Sequence, residues 1–221
     1  MNSPRYRELS RRITELRDHF LPARFDPTGS YSERVHDRVR AFRLLAHAEV
    51  ESFLEDRAVQ VANSAFTSWS GGAAPKPCLL ALLAFEEAGR EAPTSLIKRP
   101  QKRAPDLAGR VSRAKNQYAT YVKSRNHGVK EENILRILLP LGVRESDIDH
   151  TWLLSLESWG STRGELAHRS KKVQSPLDPL TEWNTVCELV RGARNGRAVS
   201  SFSHTGVISA FRDVDLYLGN L

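Results

Sequence analysis

An arginine and a histidine lie five positions apart in residues 161–168, at Arg163 and His168. A guanidinium stays charged at neutral pH and binds phosphate oxygens in a fork, whereas an imidazole exchanges protons near neutrality. Cleavage of a phosphodiester needs groups of these types: a base for the proton of the attacking hydroxyl, a donor for the leaving oxygen and positive charge on the phosphate. The two residue types are therefore consistent with phosphodiester chemistry.

The spacing of this pair is not selective by itself, because five Arg–His pairs in the chain have four to six residues between them. The context of Arg163 is more informative. It continues a helical row of apolar residues formed by Trp152, Leu156 and Trp159, so a guanidinium occupies a position where an apolar side chain is expected. A buried or interfacial arginine requires an anion close by.

Two local structures are compatible with this segment. Gly160 and Gly164 weaken a continuous helix, and Thr162 with Glu165 has the spacing of a capping box, which would start a new helix at Arg163. The free amides of that first turn would then help Arg163 to bind a phosphate. If the helix is unbroken instead, residues five apart point about 140° apart. The arginine and histidine would then converge only in a site that two chains share.

A carboxylate at Glu49 is a further candidate for the site. It lies on the apolar row of a long predicted helix, in line with Phe42 and Phe53, so it is expected to be paired. Glu49 could hold Arg163 or orient His168. The alternative is that it pairs a purely structural arginine.

Positive charge is concentrated in one part of the chain. The whole chain has 33 Lys and Arg against 26 Asp and Glu, a net charge of +7, whereas residues 97–130 contain ten basic residues and one acid. Such an excess favours an anionic partner, with nucleic acid ahead of a membrane surface. A solvated helix face is the alternative. The predicted nucleic-acid contacts are Lys98, Arg99, Lys102, Arg103, Arg110, Arg113 and Lys115.

Composition excludes several other classes of protein. The longest apolar run, residues 78–85, is far short of the roughly 18 residues of a membrane span, and residues 1–9 have no apolar signal core. Cys78 and Cys187 are far apart and lack neighbouring ligands at metal spacing, so they predict buried thiols and neither a zinc site nor a disulfide framework. We expect a soluble cytoplasmic protein without a metal or cofactor and without a membrane partner.

Helices are the elements that must position these residues, because apolar residues recur at spacings of three and four along most of the chain. The predicted helices are 5–20, a long helix from a Ser30–Glu33 capping box to Ser70, 78–88, 107–126 after Asp106, 131–139, one begun by Ser146 and Asp149, and one after Asp178-Pro179.

This pattern predicts an all-α fold, a bundle of about six to seven helices with a basic helical insertion. We expect a single domain over residues 1–221. Its parts are an N-terminal surface helix and turn (1–30), central helices (31–92), the basic insertion (93–130), and the motif-bearing and C-terminal helices (131–221).

Two stretches carry a resemblance to a known family. They are HAEVESFLED (47–56), and NHGVKEENI (126–134) followed by LG (141–142) and RGELAH (163–168). In these stretches, and over about residues 31–172, the chain resembles the ribonuclease-type branch of the HEPN superfamily, and is similar to the RiboL-PSP-associated HEPN domains. Gly164 is a departure, since many relatives carry a polar residue directly after the arginine.

The resemblance implies an all-α domain that pairs as a homodimer, with Arg163 and His168 of both protomers lining one cleft that cuts RNA without a metal. It also implies a toxin or phage-defence effector, with an antitoxin protein as a possible partner. Two other classes remain open at this point: a non-catalytic RNA- or nucleotide-binding HEPN module, and a helical DNA-binding regulator.

Overall fold

The computed structural model describes residues 1–86, 106–168, 176–192 and 207–221, with the backbone alone for 162–168. Within these ranges the only extended pairing is one parallel bridge between Ile148 and Ile208, so the all-α prediction is confirmed. Two 3₁₀ turns, Leu139–Leu141 and Glu145–Asp147, precede the sixth helix. The eight described α-helices are α1 (Pro4–Phe20), α2 (Glu33–Ser70), α3 (Pro77–Phe85), α4 (Leu107–Ser124), α5 (Glu131–Leu138), α6 (His150–His168), α7 (Pro179–Arg191) and α8 (Phe211–Leu218).

Side-chain caps fix where several helices begin. Asp106 accepts a hydrogen bond from the Gly109 amide (2.8 Å) at the start of α4, and Asp178 accepts one from the Thr181 amide (2.7 Å) at the start of α7, as predicted. The predicted capping box of Ser30 with Glu33 is wrong. Ser32 is the N-cap residue of α2, and its side chain makes no capping hydrogen bond there.

The long helix α2 is the axis of the bundle, and each of the other seven described helices contacts it. Most apolar residues of α2 are buried, because helices cover it on several sides. The fully buried positions include Val39, Phe42, Ala46, Val50, Leu54 and Ala58. The described part of the predicted basic insertion, α4, is a member of this bundle, since its Val111, Ala114, Tyr118 and Val122 are buried.

The last helix, α8, is absent from the sequence prediction, yet it belongs to the core. Phe211 is fully buried and makes edge-to-face contacts with Phe53 of α2 and Trp152 of α6. The buried Asp215 accepts a hydrogen bond from Arg57 Nε at 2.9 Å and another from the backbone amide of Ser3 at 2.7 Å. Residues near the two ends of the sequence are thus joined directly.

Several smaller predictions meet different outcomes. Cys78 and Cys187 are buried free thiols, as expected. Leu107, predicted to face the core, is exposed at the first turn of α4. The third helix ends at Phe85, three residues earlier than predicted. Among the described helices, none is long and apolar enough to cross a membrane.

Candidate active site

Helix α6 carries both residues of the predicted pair on one continuous helical backbone. Asp149 starts it by accepting hydrogen bonds from the amides of Thr151 (2.6 Å) and Trp152 (3.2 Å). The helix then runs without interruption to His168. The alternative in which a new helix begins at Arg163 is therefore wrong.

The continuity of α6 fixes the angular relation of the pair. Residues five apart on one helix point about 140° apart, so Arg163 and His168 leave α6 on different faces. Arg163 lies one turn beyond Trp159 and Gly160, which face the bundle. The side chains of Arg163 and His168 lie outside the described residues, so the predicted pair is placed here by its backbone alone.

Close packing against a loop explains the glycine at position 160. A Cβ atom there would lie 3.0 Å from Cγ of Lys130, tighter than ordinary van der Waals contact. Glycine thus lets the loop before α5 lie against α6. The helix continues across Gly160 because this packing offsets the stability that the low helix propensity of glycine costs.

A buried ion pair holds α6 one turn before Arg163. Arg43 of α2 donates from Nη1 to Glu182 of α7 at 3.0 Å and from Nη2 to the carbonyl of Trp159 at 3.3 Å. Trp159 donates from its ring nitrogen to the other Glu182 oxygen at 3.0 Å. Both Glu182 oxygens therefore accept hydrogen bonds, as an ionised carboxylate does. Three helices meet at this pair.

Burial acts on the protonation of both partners. It raises the pKa of Glu182 and is opposed there by the positive charge of Arg43 and the hydrogen bond from Trp159. It lowers the pKa of Arg43, opposed by the charge of Glu182. Removing either partner would leave the other as an uncompensated buried charge.

A histidine is stacked beside this pair. His47, buried on α2, lies against the Trp159 ring with centroids 5.1 Å apart and planes inclined by 29°. Its Nδ1 lies 3.7 Å from a carboxylate oxygen of Glu51, and the other oxygen of Glu51 accepts a hydrogen bond from the Gly128 amide. His47 is therefore part of the packing between α2 and α6.

The loop before α5 is tied to the same side of α2. Buried Asn126 donates to Glu55 at 3.1 Å and to the Gly128 carbonyl at 3.2 Å, and it accepts from Asn133 at 3.0 Å. Gly128 has a φ of +121°, a conformation that favours glycine. The two stretches that carry the family resemblance thus contact each other: carboxylates of the first accept hydrogen bonds from the Asn126 side chain and the Gly128 backbone of the second.

The course of α6 brings residues 163–168 toward a polar row on α2. The two helices are antiparallel. Trp152 of α6 and Phe53 of α2 both contact Phe211. Trp159, seven residues later on α6, stacks on His47, which is six residues earlier than Phe53 on α2. Beyond Trp159 the α6 backbone continues toward the N-terminal end of α2. The residues of α2 that share this side are His36, Arg40, Arg43, His47 and Glu51.

Sequence analysis missed Arg43 and Glu182 as members of the site. A signal existed, because polar residues recur along α2 at spacings of three and four, directly beside its apolar row. Polar residues at helical spacing are expected to face solvent. Only the positions of α6 and α7 show that this row is covered.

Glu49 occupies a different place from its predicted neighbours. Its carboxylate accepts a hydrogen bond from Nε of Arg12 on α1 at 2.8 Å, and it is about one third exposed. This contact is the alternative left open by the sequence, pairing with another arginine.

The predicted RNA-binding residues divide into two groups. Lys98, Arg99, Lys102 and Arg103 lie outside the described residues. On α4, Arg113 is exposed and Arg110 is half-buried, whereas the ammonium of Lys115 lies over the Phe66 ring at 5.0 Å. The ammonium of Lys115 is therefore already engaged in a cation–π contact with α2.

A groove of about 1010 Å³ between α6 and α7 exposes one side of the buried ion pair. Its walls carry hydroxyl groups, and its rim carries the carboxylates of Asp149, Asp178 and Glu188. The negative charge of these carboxylates disfavours an anionic ligand at this rim.

The chain matches the model of a known protein family over most of its length. The family model described as RiboL-PSP-HEPN matches residues 7–185, which run from α1 into α7 and leave out α8. No curated protein and no solved structure matches the chain.

Proposed function

Because the chain belongs to the RiboL-PSP-HEPN family, we propose that it is a metal-independent endoribonuclease that acts as a homodimer. Arg163 and His168 of both protomers line a cleft between the two chains. Glu49 is left out of the chemical step, because Arg12 already binds its carboxylate.

The proposed reaction is an internal transfer on RNA. The 2′-oxygen attacks the adjacent phosphorus while a base removes its proton, and the bond from phosphorus to the 5′-oxygen breaks as that oxygen receives a proton. The products are a 2′,3′-cyclic phosphate and a 5′-hydroxyl. His168 exchanges protons in this scheme, and Arg163 binds the phosphate oxygens as their charge grows.

The observation that carries the proposal is the continuity of α6. With Arg163 and His168 on different faces of one helix, a single chain does not readily bring both to one phosphate. Two copies related by a two-fold axis supply an arginine from one α6 and a histidine from the other. Isologous contacts of this kind use the same surface on both subunits.

The buried residues around Trp159 support the proposal by holding α6 firmly. Arg43 binds the Trp159 carbonyl and His47 stacks on its ring, only one turn before Arg163. Functional side chains are held most accurately when the element that carries them is fixed by packing and hydrogen bonds. Arg43, His47 and Glu182 are therefore positioning residues.

Cleavage of RNA in the presence of excess EDTA tests the proposal. We expect wild-type protein to cut single-stranded RNA under these conditions and to leave 2′,3′-cyclic phosphate ends. Arg163→Ala and His168→Ala should each abolish cleavage while the circular dichroism spectrum stays unchanged. The matched control is His150→Ala, an exposed histidine at the start of the same helix.

Three results would contradict it: activity lost on chelation, activity retained in His168→Ala, or RNA bound by the wild type without cleavage. The last would assign the chain to the non-catalytic RNA-binding class.

We also propose that the protein serves as a toxin or phage-defence effector restrained by an antitoxin protein. Induced expression of the wild type should then arrest growth, and expression of the His168→Ala variant at the same level should not. Equal growth of both strains, with the wild-type protein active on RNA in vitro, would contradict the cellular role and leave the enzyme assignment standing.

A further inference from the structure

The outer face of α4 contains two adjoining hollows on the side away from α2. One, of about 730 Å³, follows α4 from Arg113 to Arg125 past Asn116 and Thr120. The other, of about 440 Å³, is apolar and lies where α3, α4 and α5 meet. Gln117 and Tyr121 line both. Among the residues of the apolar hollow are Phe85, Leu135, Leu139 and Pro140.

Tyr121 is placed differently from the tyrosine one turn before it. Tyr118 is buried and donates its hydroxyl hydrogen to the Ile137 carbonyl at 2.9 Å, so it is a core residue. Tyr121 is half-buried at the border of the two hollows, with its hydroxyl oxygen 3.4 Å from a guanidinium nitrogen of Arg136. Its ring is therefore available to a ligand.

The charge of this face suits a phosphate backbone. The 18 residues of α4 include four basic side chains and no acid. Lys115 and Lys123 are engaged by α2, through Phe66 and Asp56 respectively. Arg113 and Arg125 are exposed along the longer hollow, about 18 Å apart along the helix.

A carboxylate reaches into the apolar hollow. Glu86, just after α3, lines it, and its Oε2 is buried with no hydrogen-bond partner among the described residues. An ionised carboxylate only accepts hydrogen bonds, so it selects ligands that donate. Cytosine, adenine and guanine present an exocyclic amino group, and uracil does not.

We propose that this face binds a nucleotide whose base carries an exocyclic amino group. The base stacks on Tyr121 inside the apolar hollow and donates to Glu86, and the flanking phosphates contact Arg113 and Arg125. The source of the nucleotide is single-stranded RNA, an assignment that rests on the proposed function. Aromatic stacking beside a positive track is how many proteins bind single strands.

Four further basic residues lie, in the sequence, between two residues of this face. Lys98, Arg99, Lys102 and Arg103 belong to the connection between Glu86, which lines the apolar hollow, and Asp106, which caps α4 at the end of the longer hollow. Both ends of that connection lie at the proposed site.

Binding of short fluorescent 2′-O-methyl oligonucleotides tests the site separately from cleavage, since a blocked 2′-oxygen cannot attack phosphorus. We expect oligo(C) to bind more tightly than oligo(U), which has the same ring size. Tyr121→Leu should weaken oligo(C) binding by about 5- to 100-fold, and Tyr121→Phe by no more than about twofold. Glu86→Gln should remove the preference for cytosine, because an amide both donates and accepts.

The phosphate contacts are tested by salt. Each phosphate contact on a single strand contributes about 0.7 to the slope of log affinity against log salt, so Arg113→Gln combined with Arg125→Gln should reduce that slope by about 1.4. Lys123→Gln is the matched control, because its ammonium faces Asp56 on α2. It should leave the slope nearly unchanged.

Unchanged oligo(C) affinity in both Tyr121→Leu and the double arginine variant would overturn the proposal, as would equal binding of oligo(C) and oligo(U) by the wild type. CMP could instead bind as tightly as the oligonucleotide, with this binding lost in Tyr121→Leu. That result would support the site and assign a free nucleotide as its ligand. Tyr121-dependent binding without any RNA cleavage would leave this site standing and refute the nuclease. Cleavage without Tyr121-dependent binding would do the reverse.

Discussion

At the residue scale, breaking the buried pair of Arg43 and Glu182 by removing one partner should destabilise the protein more than breaking an exposed ion pair does. Breaking a buried ion pair by removing one partner typically costs about 3–5 kcal/mol, whereas replacing both by apolar residues of similar size costs much less. We expect Glu182→Ala to lower the free energy of unfolding by about 3 kcal/mol or more. The double variant Arg43→Met, Glu182→Leu should be clearly more stable than either Arg43→Met or Glu182→Leu alone.

Urea unfolding of the two single variants and the double variant measures this difference. Arg11→Ala, which removes an exposed pair with Glu15 on α1, is the control and should cost well under about 1 kcal/mol. If the effects of the two single replacements simply add in the double variant, Arg43 and Glu182 are not coupled.

Asp147 gives the protein a specific dependence on pH. Burial acts to raise the pKa of this carboxyl, but hydrogen bonds from Arg144 Nε (2.9 Å) and the Tyr217 hydroxyl (2.7 Å) outweigh burial and hold the pKa below its usual range. A group whose pKa is lower in the folded state stabilises the fold above its ordinary pKa of about 3.9. That contribution is lost as the pH falls through the folded value.

The expected result is a fall in unfolding free energy between about pH 6 and about pH 3 that is smaller in Asp147→Asn than in the wild type. Urea titrations at the two pH values measure it. Asp18→Asn, an exposed carboxyl on α1, should leave the pH dependence of the wild type in place. An identical loss in the wild type and Asp147→Asn would refute the role of Asp147.

Residue types predict the chemistry of the site better than they predict which residues belong to it. Arg163 stands out because it interrupts an apolar row, and that argument needs only helical periodicity. Arg43 and Glu182 are 139 positions apart in the chain, on different helices, and no local sequence pattern indicates that they pair. Tyr121 and Tyr118 share one row of α4, and only the packing of α5 separates a core residue from an accessible one.

At the element scale, α6 and α8 show where local sequence rules fail. Glycines weaken helices in isolation, so the sequence allows a break before Arg163. Packing against the Lys130 loop requires Gly160 to be small, and the helix continues through it. For α8, the acids Asp213 and Asp215 suggest an exposed segment, but both are buried and paired with partners that are distant or outside the helix.

The status of α8 as a core element predicts a large effect of truncating Phe211. Replacement of a buried phenylalanine by alanine usually costs about 3–5 kcal/mol, because the removed ring leaves a cavity. We expect Phe211→Ala to fall in that range by thermal or urea unfolding. Leu216→Ala, at a half-buried position of the same helix, should cost clearly less. A loss below about 1 kcal/mol for Phe211→Ala would show that α8 is dispensable.

At the scale of the whole molecule, the all-α architecture is predictable because nearly every segment shows helical periodicity and several carry side-chain caps. The order and length of α1, α4 and α5, and the start of α7, follow from such local signals. Which helix covers which face of α2 is not predictable, since that depends on contacts between residues far apart in the chain. The same limit applies to the site, where α2, α6 and α7 meet.

The proposed shared cleft predicts complementation between two inactive variants. Mixing Arg163→Ala chains with His168→Ala chains should restore part of the activity, because a heterodimer can form one cleft with an intact arginine from one chain and an intact histidine from the other. RNA cleavage measured against the mixing ratio should peak near equal amounts. Each variant mixed with itself is the control. A strictly monomeric wild type with full activity at micromolar concentration would rule out the shared cleft.

The hydrogen bond between the Ser3 amide and Asp215 has a consequence for how the chain is threaded. Because α1 begins beside α8, a linker from residue 221 to residue 1 would join two segments that are already in contact. New ends could then be opened in the exposed turn at Gly71 and Gly72, after α2, where no buried contact is cut. Such a circular permutant would keep α2, α6 and α7 in their present arrangement. In its sequence, however, α3 would be the first helix and α2 the last.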